Sequence, residues 1–504
     1  MNEQASVRPK RKPLMARIPA GFVQAVLKGH STLGIAFAAA IYVVCLSGTL
    51  AVFLHEFTQW ENPGAEQVSQ ASPDAVQRAL ENAVAQSAGE VHHVRFAMPT
   101  ADQPFMTLDV DEEGRRTAWL ADTEGEVTPL RHAWSEFLTR LHIFLHLPSA
   151  WGIFIVGMTG VALLSSLISG LCAHPRIFRD AFHLRVGGSR RLQEADLHNR
   201  IGVWALPFHL LVSLTGAFLG LTTIIVGVLG MAMFDGDTGR IYALFAPPEP
   251  PENVAQAPVL DLKPMIARLP EEGALERITV EHPTETGAAA IFDLYDEQAL
   301  AGARSIGITR AGDLYYEKDV PRASLGERVF GALAPLHFGW FGGGIIKIAY
   351  GLLGLGLTYL AVGGVKIWLV RRRDKGRPAP GWERVWAAVV WGQPVALAVA
   401  GLFAILFPAW PYSALIPVWG AVCLALLAAA ALVSARRLAL SGQVATGALL
   451  VTLALVHAGF VAGFSATPLI WAVDLLLVAV GVGLLVLGGI RSRTDRTTIP
   501  SPAG

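Results

Sequence analysis

The chain has 504 residues, 53% of them apolar and only 16% charged, and its 40 basic and 40 acidic side chains cancel to a formal net charge of zero. So apolar a composition excludes an ordinary soluble domain and points to a membrane protein. The neutrality says nothing about partners, because the charges are sorted by loop.

In chain order, residues 1–30 carry Arg8, Lys10, Arg11, Lys12, Arg17 and Lys28. The apolar segment 31–55 is too long for a signal-peptide core and has no clear cleavage site, so it reads as a retained anchor. Residues 56–140 are hydrophilic. Ser72-Pro73-Asp74 predicts a helix start there, and alternation in 93–96, 105–110 and 117–120, with a turn at Gly114, predicts strands. A second span covers 141–173. The loop 174–200 carries Arg176, Arg179, Arg185, Arg190, Arg191 and Arg200.

A third span at 201–233 precedes a second hydrophilic stretch, 234–336, with the same order of elements: a helix near 261–269, strands at 277–280, 290–295 and 305–308, and a turn at Asp313. A fourth span covers 337–370, the loop 371–384 opens with Arg371-Arg372-Arg373, and 385–490 holds four more apolar segments. The tail 491–504 carries Arg491, Arg493 and Arg496. The basic loops alternate, so the positive-inside rule makes both termini cytoplasmic and both hydrophilic modules external. The fold class expected is a mostly α-helical polytopic membrane protein with about eight transmembrane helices and two small α+β modules. Helix–module–helix occurs twice, as an internal duplication. Cys45, Cys172 and Cys423 all lie in apolar spans, so no disulfide framework is implied.

The histidines follow the duplication. His30 is followed by Gly34 and Gly48, and His198 by Gly202 and Gly216, at identical offsets. Each of these segments is paired with a later one opened by Leu-His: Leu141-His142, with His146 one turn on, and Leu336-His337. Imidazole is costly against hydrocarbon, and haem iron is the reason that best accounts for several such residues, since it takes neutral imidazole nitrogens from facing helices. On unbroken helices, His30 and His55 would fall on one face of the first span, His198 and His209 on one face of the third, and His142 and His146 on one face. The residues then sort into an outer layer (His55, His142, His146, His337) and an inner layer (His30, His174, His198, His209), room for two haems.

The plainer reading of any one of these is an interfacial histidine bonded to a headgroup or a carbonyl, and for His30 and His198 a hydrogen bond to a haem propionate is a further option. His92, His93, His132, His183 and His282 fall in hydrophilic stretches and read as solvated, and His457 as a satisfied core residue. The run Gly342-Gly343-Gly344 is a weak nucleotide signal and a better sign of close helix approach. No Cys-x-x-Cys-His attachment motif is present, so any haem would be non-covalent, b-type haem.

These residues resemble a known family. Trp134-Ser135-Glu136-Phe137 with Leu141-His142-Ile143-Phe144-Leu145-His146, His174-Pro175-Arg176, Asp196-Leu197-His198-Asn199 with Leu206-Pro207-Phe208-His209, and Pro335-Leu336-His337-Phe338-Gly339 are similar to the PepSY-associated transmembrane family. So are His30-Ser31-Thr32-Leu33-Gly34 and Trp60-Glu61-Asn62-Pro63. Together the motifs run from residue 28 to 373, and the four C-terminal spans lie outside the resemblance. Its members include inner-membrane, haem-containing reductases that release iron from ferric siderophores in the periplasm. The resemblance therefore implies a ferric-siderophore reductase with a cytoplasmic or quinol electron donor, haem ligation by some of the histidines above, and no nucleic-acid partner. A second reading is a membrane protein whose PepSY modules bind or restrain periplasmic peptidases, without redox activity. A third is a transporter, disfavoured because the spans hold few charges beyond Asp474.

Overall fold

The computed structural model describes residues 19–173, 190–242, 253–295 and 302–497, with a few single positions between them. The first unit runs α1 (Ala20–Ala36), α2 (Ala38–Ala51), α3 (Leu54–Glu61), α4 (Pro73–Gln86), β1 (Val91–Ala97), β2 (Met106–Glu112), β3 (Arg115–Ala121), β4 (Val127–Pro129), α5 (Ala133–Phe144) and α6 (Ser149–Ala173). The second opens with α7 (Arg190–Trp204), α8 (Leu206–Gly220), α9 (Thr222–Met233) and α10 (Thr238–Tyr242). It continues with α11 (Lys263–Ile266), β5 (Ala274–Glu281), β6 (Ala289–Tyr295), β7 (Ala303–Thr309), β8 (Leu314–Asp319), α12 (Leu325–Phe338) and α13 (Gly343–Asp374). Four long helices complete the chain: α14 (Pro380–Leu406), α15 (Tyr412–Leu432), α16 (Ala435–Val461) and α17 (Pro468–Thr497).

Six of these helices are long and apolar enough to cross a bilayer, and the count reaches eight if two bent pairs are each one span. The chain is a polytopic membrane protein. The bends lie between α1 and α2 (67°) and between α7 and α8 (71°), at Phe37 and Ala205, both near φ −100° and ψ 10°. A third break follows α2 at Val52 and Phe53. His30 and His55 therefore do not share a helix face, nor do His198 and His209, because that arithmetic assumes a straight helix. His142 and His146 part for a similar reason. α5 ends at Phe144, and Leu145 and His146 turn left-handed at φ 51° and 55°.

The two hydrophilic modules form one sheet. Its eight antiparallel strands run in the order β4-β3-β2-β1-β5-β6-β7-β8, so the duplicated halves join edge to edge through β1 and β5, with Val94 opposite Val280 and Phe96 opposite Ile278. Each half thereby covers an edge strand that would otherwise expose unpaired amides. One face is apolar: Phe96, Leu108, Ile278 and Phe292 pack with Leu80 of α4 and Met265 of α11. Helix α4 starts where its sequence dictates, with the Ser72 hydroxyl accepting from the Ala75 amide at 3.1 Å and Pro73 in the first turn.

Trp60-Glu61-Asn62 ties three parts of the molecule together. The Trp60 indole donates to Asp474 of α17 at 2.9 Å and stacks on His457 of α16, with ring centroids 4.0 Å apart. His457 is fully buried, bonded at Nδ1 to the Asp474 carboxylate (2.9 Å) and at Nε2 to the Trp60 carbonyl (2.8 Å). The Glu61 carboxylate accepts from the Trp134 and Ser135 amides at 2.7 and 3.0 Å and so caps the start of α5. Asn62 donates to the Arg131 carbonyl and accepts from the Arg131 amide. Around this lock, Trp134, Phe137, Leu138 and Leu141 of α5 pack against Leu397, Leu415, Val461 and Ile470 of the C-terminal helices.

Two outcomes follow. Replacing His457 with Phe leaves the buried Asp474 carboxylate only the Trp60 indole as a donor among the described residues and should cost about 1–3 kcal/mol, read as a Tm lower by about 1–3 °C in detergent. Glu61 governs a pH effect. Burial lifts its carboxyl from 4.5 to about 7, against the opposing pull of the Ser135 hydroxyl and the Trp134 and Ser135 amides. The folded state thus holds this proton more tightly than the unfolded one, and the contribution to stability is full below pH 4.5 and falls as pH rises towards about 7. Glu61→Gln should flatten the decline of Tm across that window, and an unchanged pH profile would show that Glu61 does not set it.

Candidate functional site

The first turn of α5 is fixed by Glu61, and its last turn carries His142. Helix α12 is fixed at the corresponding end by a capping box, in which Ser324 and Glu327 exchange side-chain and backbone bonds, and its last turn carries His337 before Gly339 ends the helix at φ 74°. The repeat therefore delivers two histidines from two equivalent helix ends.

Their rings lie close to parallel, at 20°, with centroids 6.1 Å apart. His142 Nδ1 donates to the Val44 carbonyl at 3.0 Å. His337 Nδ1 meets the Thr215 hydroxyl at 2.9 Å. Because that hydroxyl gives its own proton to the Leu211 carbonyl (2.7 Å), its oxygen is the acceptor and His337 Nδ1 the donor. Both rings are thus assigned the same tautomer, with the lone pair on Nε2, and neither Nε2 has a protein hydrogen-bond partner among the described residues.

Glycine makes room for each ring. A Cβ at Gly48 would lie 2.6 Å from His142 Cε1, and one at Gly216 would lie 2.8 Å from His337 Cε1. These are the glycines at matching offsets in the two repeats. The pair lines a cavity of about 320 Å³ with a predominantly apolar wall, to which Cys45, Leu163, Val212 and Leu357 contribute. Gly157 and Gly220 bring α6 and α8 into close contact beside it.

The other candidate residues lie elsewhere. His30 Nδ1 bonds to the Ser166 carbonyl at 2.9 Å, and its Cε1 would be 3.3 Å from a Cβ at Gly170 of α6. His198 sits over Gly363 and Gly364 of α13, with Nδ1 3.4 Å from a Cβ at Gly363. His30 and His198 thus each rest on a glycine of the last helix of their own repeat. His209 is fully buried; the Leu353 backbone is near it, yet neither ring nitrogen makes a well-formed hydrogen bond. His146 does not join His337: its ring lies against Phe137 (4.3 Å) and Trp419 (5.7 Å), on the side of the C-terminal helices. His55 stacks on Trp340 at 5.8 Å. His174 and the basic clusters 8–17 and 176–185 lie outside the described residues.

Sequence reading passed over two clusters. His92 and His93 stand on β1, not in a loop, and their rings meet that of His282 at 5.7 and 6.0 Å across the seam between the sheet halves. Lys347, 2% exposed, bonds Glu56 at 2.8 Å and Asp102 at 3.1 Å and ties α13 to α3 and to the loop before β2. Nothing local in the sequence marks either cluster, since each depends on segments more than 180 residues apart.

An uncharacterised protein of Pseudomonas aeruginosa is 30% identical over 256 residues, 47% of this chain and 64% of that protein's length. The chain thus spans less than two thirds of that relative. A family model described as the PepSY-associated TM region matches residues 27–371, from the middle of α1 to the last turn of α13, and takes in the sheet and all the glycine–histidine pairs. The chain belongs to the PepSY-associated transmembrane family.

Proposed function

We propose that the protein is a haem-b electron carrier of the bacterial inner membrane that reduces siderophore-bound ferric iron on the side of the sheet, with both termini cytoplasmic. The observation that carries the reading is the His142–His337 pair. Metal–nitrogen bonds of about 2 Å on either side of one ion set two imidazole centroids roughly 6 Å apart, and these rings stand at 6.1 Å. Their Nδ1 protons are given to fixed oxygens, the arrangement that orients a ligating imidazole and raises its basicity. The glycine cradles and the apolar cavity suit a flat, largely apolar macrocycle.

His142 and His337 would hold the haem iron, and haem, when bound, would supply a one-electron couple. The chain's own contribution would be to orient both rings through their Nδ1 bonds beside a mostly apolar cavity, which suits outer-sphere transfer. Reduction loosens a ferric siderophore because its hard oxygen donors favour the more highly charged ion. A quinol or a cytoplasmic reductant serves as donor.

A second haem would be held in the inner layer. The repeat pairs His30 with His198, each above a glycine of its own unit. His209 has Ile41 at the matching position of the first repeat, so the duplication favours His30 and His198 as the inner pair.

A dithionite-reduced spectrum of the purified protein should show b-type bands, with pyridine haemochrome giving two haems per chain. His337→Ala should lower this to one and abolish iron release from a ferric siderophore. His30→Ala or His198→Ala should remove the other haem and leave the outer one, whereas His209→Ala should keep two if the repeat sets the ligands. A protein without haem would leave the peptidase-binding reading in its place.

A further inference from the structure

Above α5 lies a second, larger cavity of about 1160 Å³. Its walls come from the open face of the first half of the sheet, from α5, and from the loops that join α14 to α15 and α16 to α17. One face of α5 (Glu136, Arg140) borders this space, while His142 borders the apolar cavity, so a single helix separates the two.

The charges in it are unevenly engaged. Glu136 is held by Arg140 at 2.6 Å, Asp122 accepts from the Glu124 and Glu126 amides, and Glu66 accepts from Thr123. Burial raises the pKa of Asp109, which weakens it as a fixed negative charge. Two guanidiniums remain available. The Arg95 guanidinium on β1 makes no hydrogen bond or ion pair within 4 Å among the described residues and has Asp109, across the strand, as its charged neighbour, and Arg131 only rides over the Phe460 ring at 5.1 Å while its backbone is fixed by Asn62. Trp410, Tyr412 and Phe464 of the C-terminal unit supply aromatic walls. Guanidiniums in the same wall as aromatic rings recognise anionic oxygens attached to flat aryl groups.

We infer that this cavity is the docking site for an anionic ferric catecholate chelate, held by Arg95 and Arg131 at its oxygens and by Trp410 at an aryl face, so that the four C-terminal helices complete a substrate site. The inference takes its ligand class from the reductase reading above, but the binding needs no electron transfer.

The probe is the ferric tris-complex of 2,3-dihydroxybenzoate labelled with radioactive iron, measured by equilibrium dialysis against oxidised full-length protein without donor. The doubly substituted Arg95→Gln, Arg131→Gln protein and Trp410→Ala should each weaken binding at least about tenfold, with haem content and Tm unchanged. Arg304→Gln, on β7 in the other half of the sheet, should leave binding as in the native protein. A neutral ferric trihydroxamate should bind weakly and respond little to the arginine changes. His337→Ala should bind the catecholate with native affinity, which separates this site from the haem assignment. Native affinity in the double variant, or a trihydroxamate bound as tightly and lost in parallel, would overturn the inference even if both haems are present.

Discussion

Placing imidazole inside apolar packing governs how the rest of the molecule is arranged. A buried ring nitrogen needs a partner or it costs more than most single contacts return. His142 and His337 solve half of this with protein oxygens, Val44 O and Thr215 Oγ1, and leave one nitrogen each turned to the same cavity. Thr215 can serve only because its proton already goes to Leu211. The glycines then follow: any side chain at Gly48 or Gly216 would occupy the space of the ring. Donor, acceptor and empty space are specified together, twice.

The duplication makes that double specification economical. Each repeat brings one histidine on the helix after its strands and one glycine on the helix before them, and the halves are joined by β1 against β5. Hydrogen bonding between the two central strands fixes the halves more firmly than a linker could, and it holds the starts of α5 and α12 in a set relation. The buried Lys347, bonded to Glu56 and Asp102, adds a second tie between the repeats, from the helix after the second module to the first.

Much of this is readable from sequence, and the parts that are not have physical causes. Apolar length marked the long helices, and matching offsets from His30 and His198 marked the repeat, because both are local properties of the chain. The bend at Phe37 carries no Pro or Gly at the break itself, so a periodic reading runs straight through it, whereas at Ala205 the signal is Pro207 in the first turn of α8, which cannot donate back into α7. Leu145 and His146 adopt left-handed geometry without glycine, which hides the end of α5 and made His142 and His146 look like neighbours on one face. The union of two modules into one sheet depends on an edge pairing between segments some 180 residues apart, which alternation alone does not encode. His457 read correctly as a satisfied core residue, but its partners, Trp60 and Asp474, lie in other elements.

The four C-terminal helices fall outside the family match, yet their packing bears on the site. Trp60 and Glu61 are adjacent residues with different tasks: one is bound to His457 and Asp474, the other caps the helix that ends in His142. A displacement of α16 or α17 therefore reaches α5 through a single peptide unit. Because α5 also packs its apolar face on α14 and α15, the added unit holds this helix along most of its length. Helix α12 carries the equivalent histidine with no such support: its first residues, Leu325, Val329 and Phe330, are exposed. The two halves of the histidine pair thus stand in unequal surroundings, one buttressed and one open, although the duplication made them alike. Asymmetry of that kind gives the cavity a fixed wall and a wall with fewer restraints, and places the restrained one beside the larger polar space.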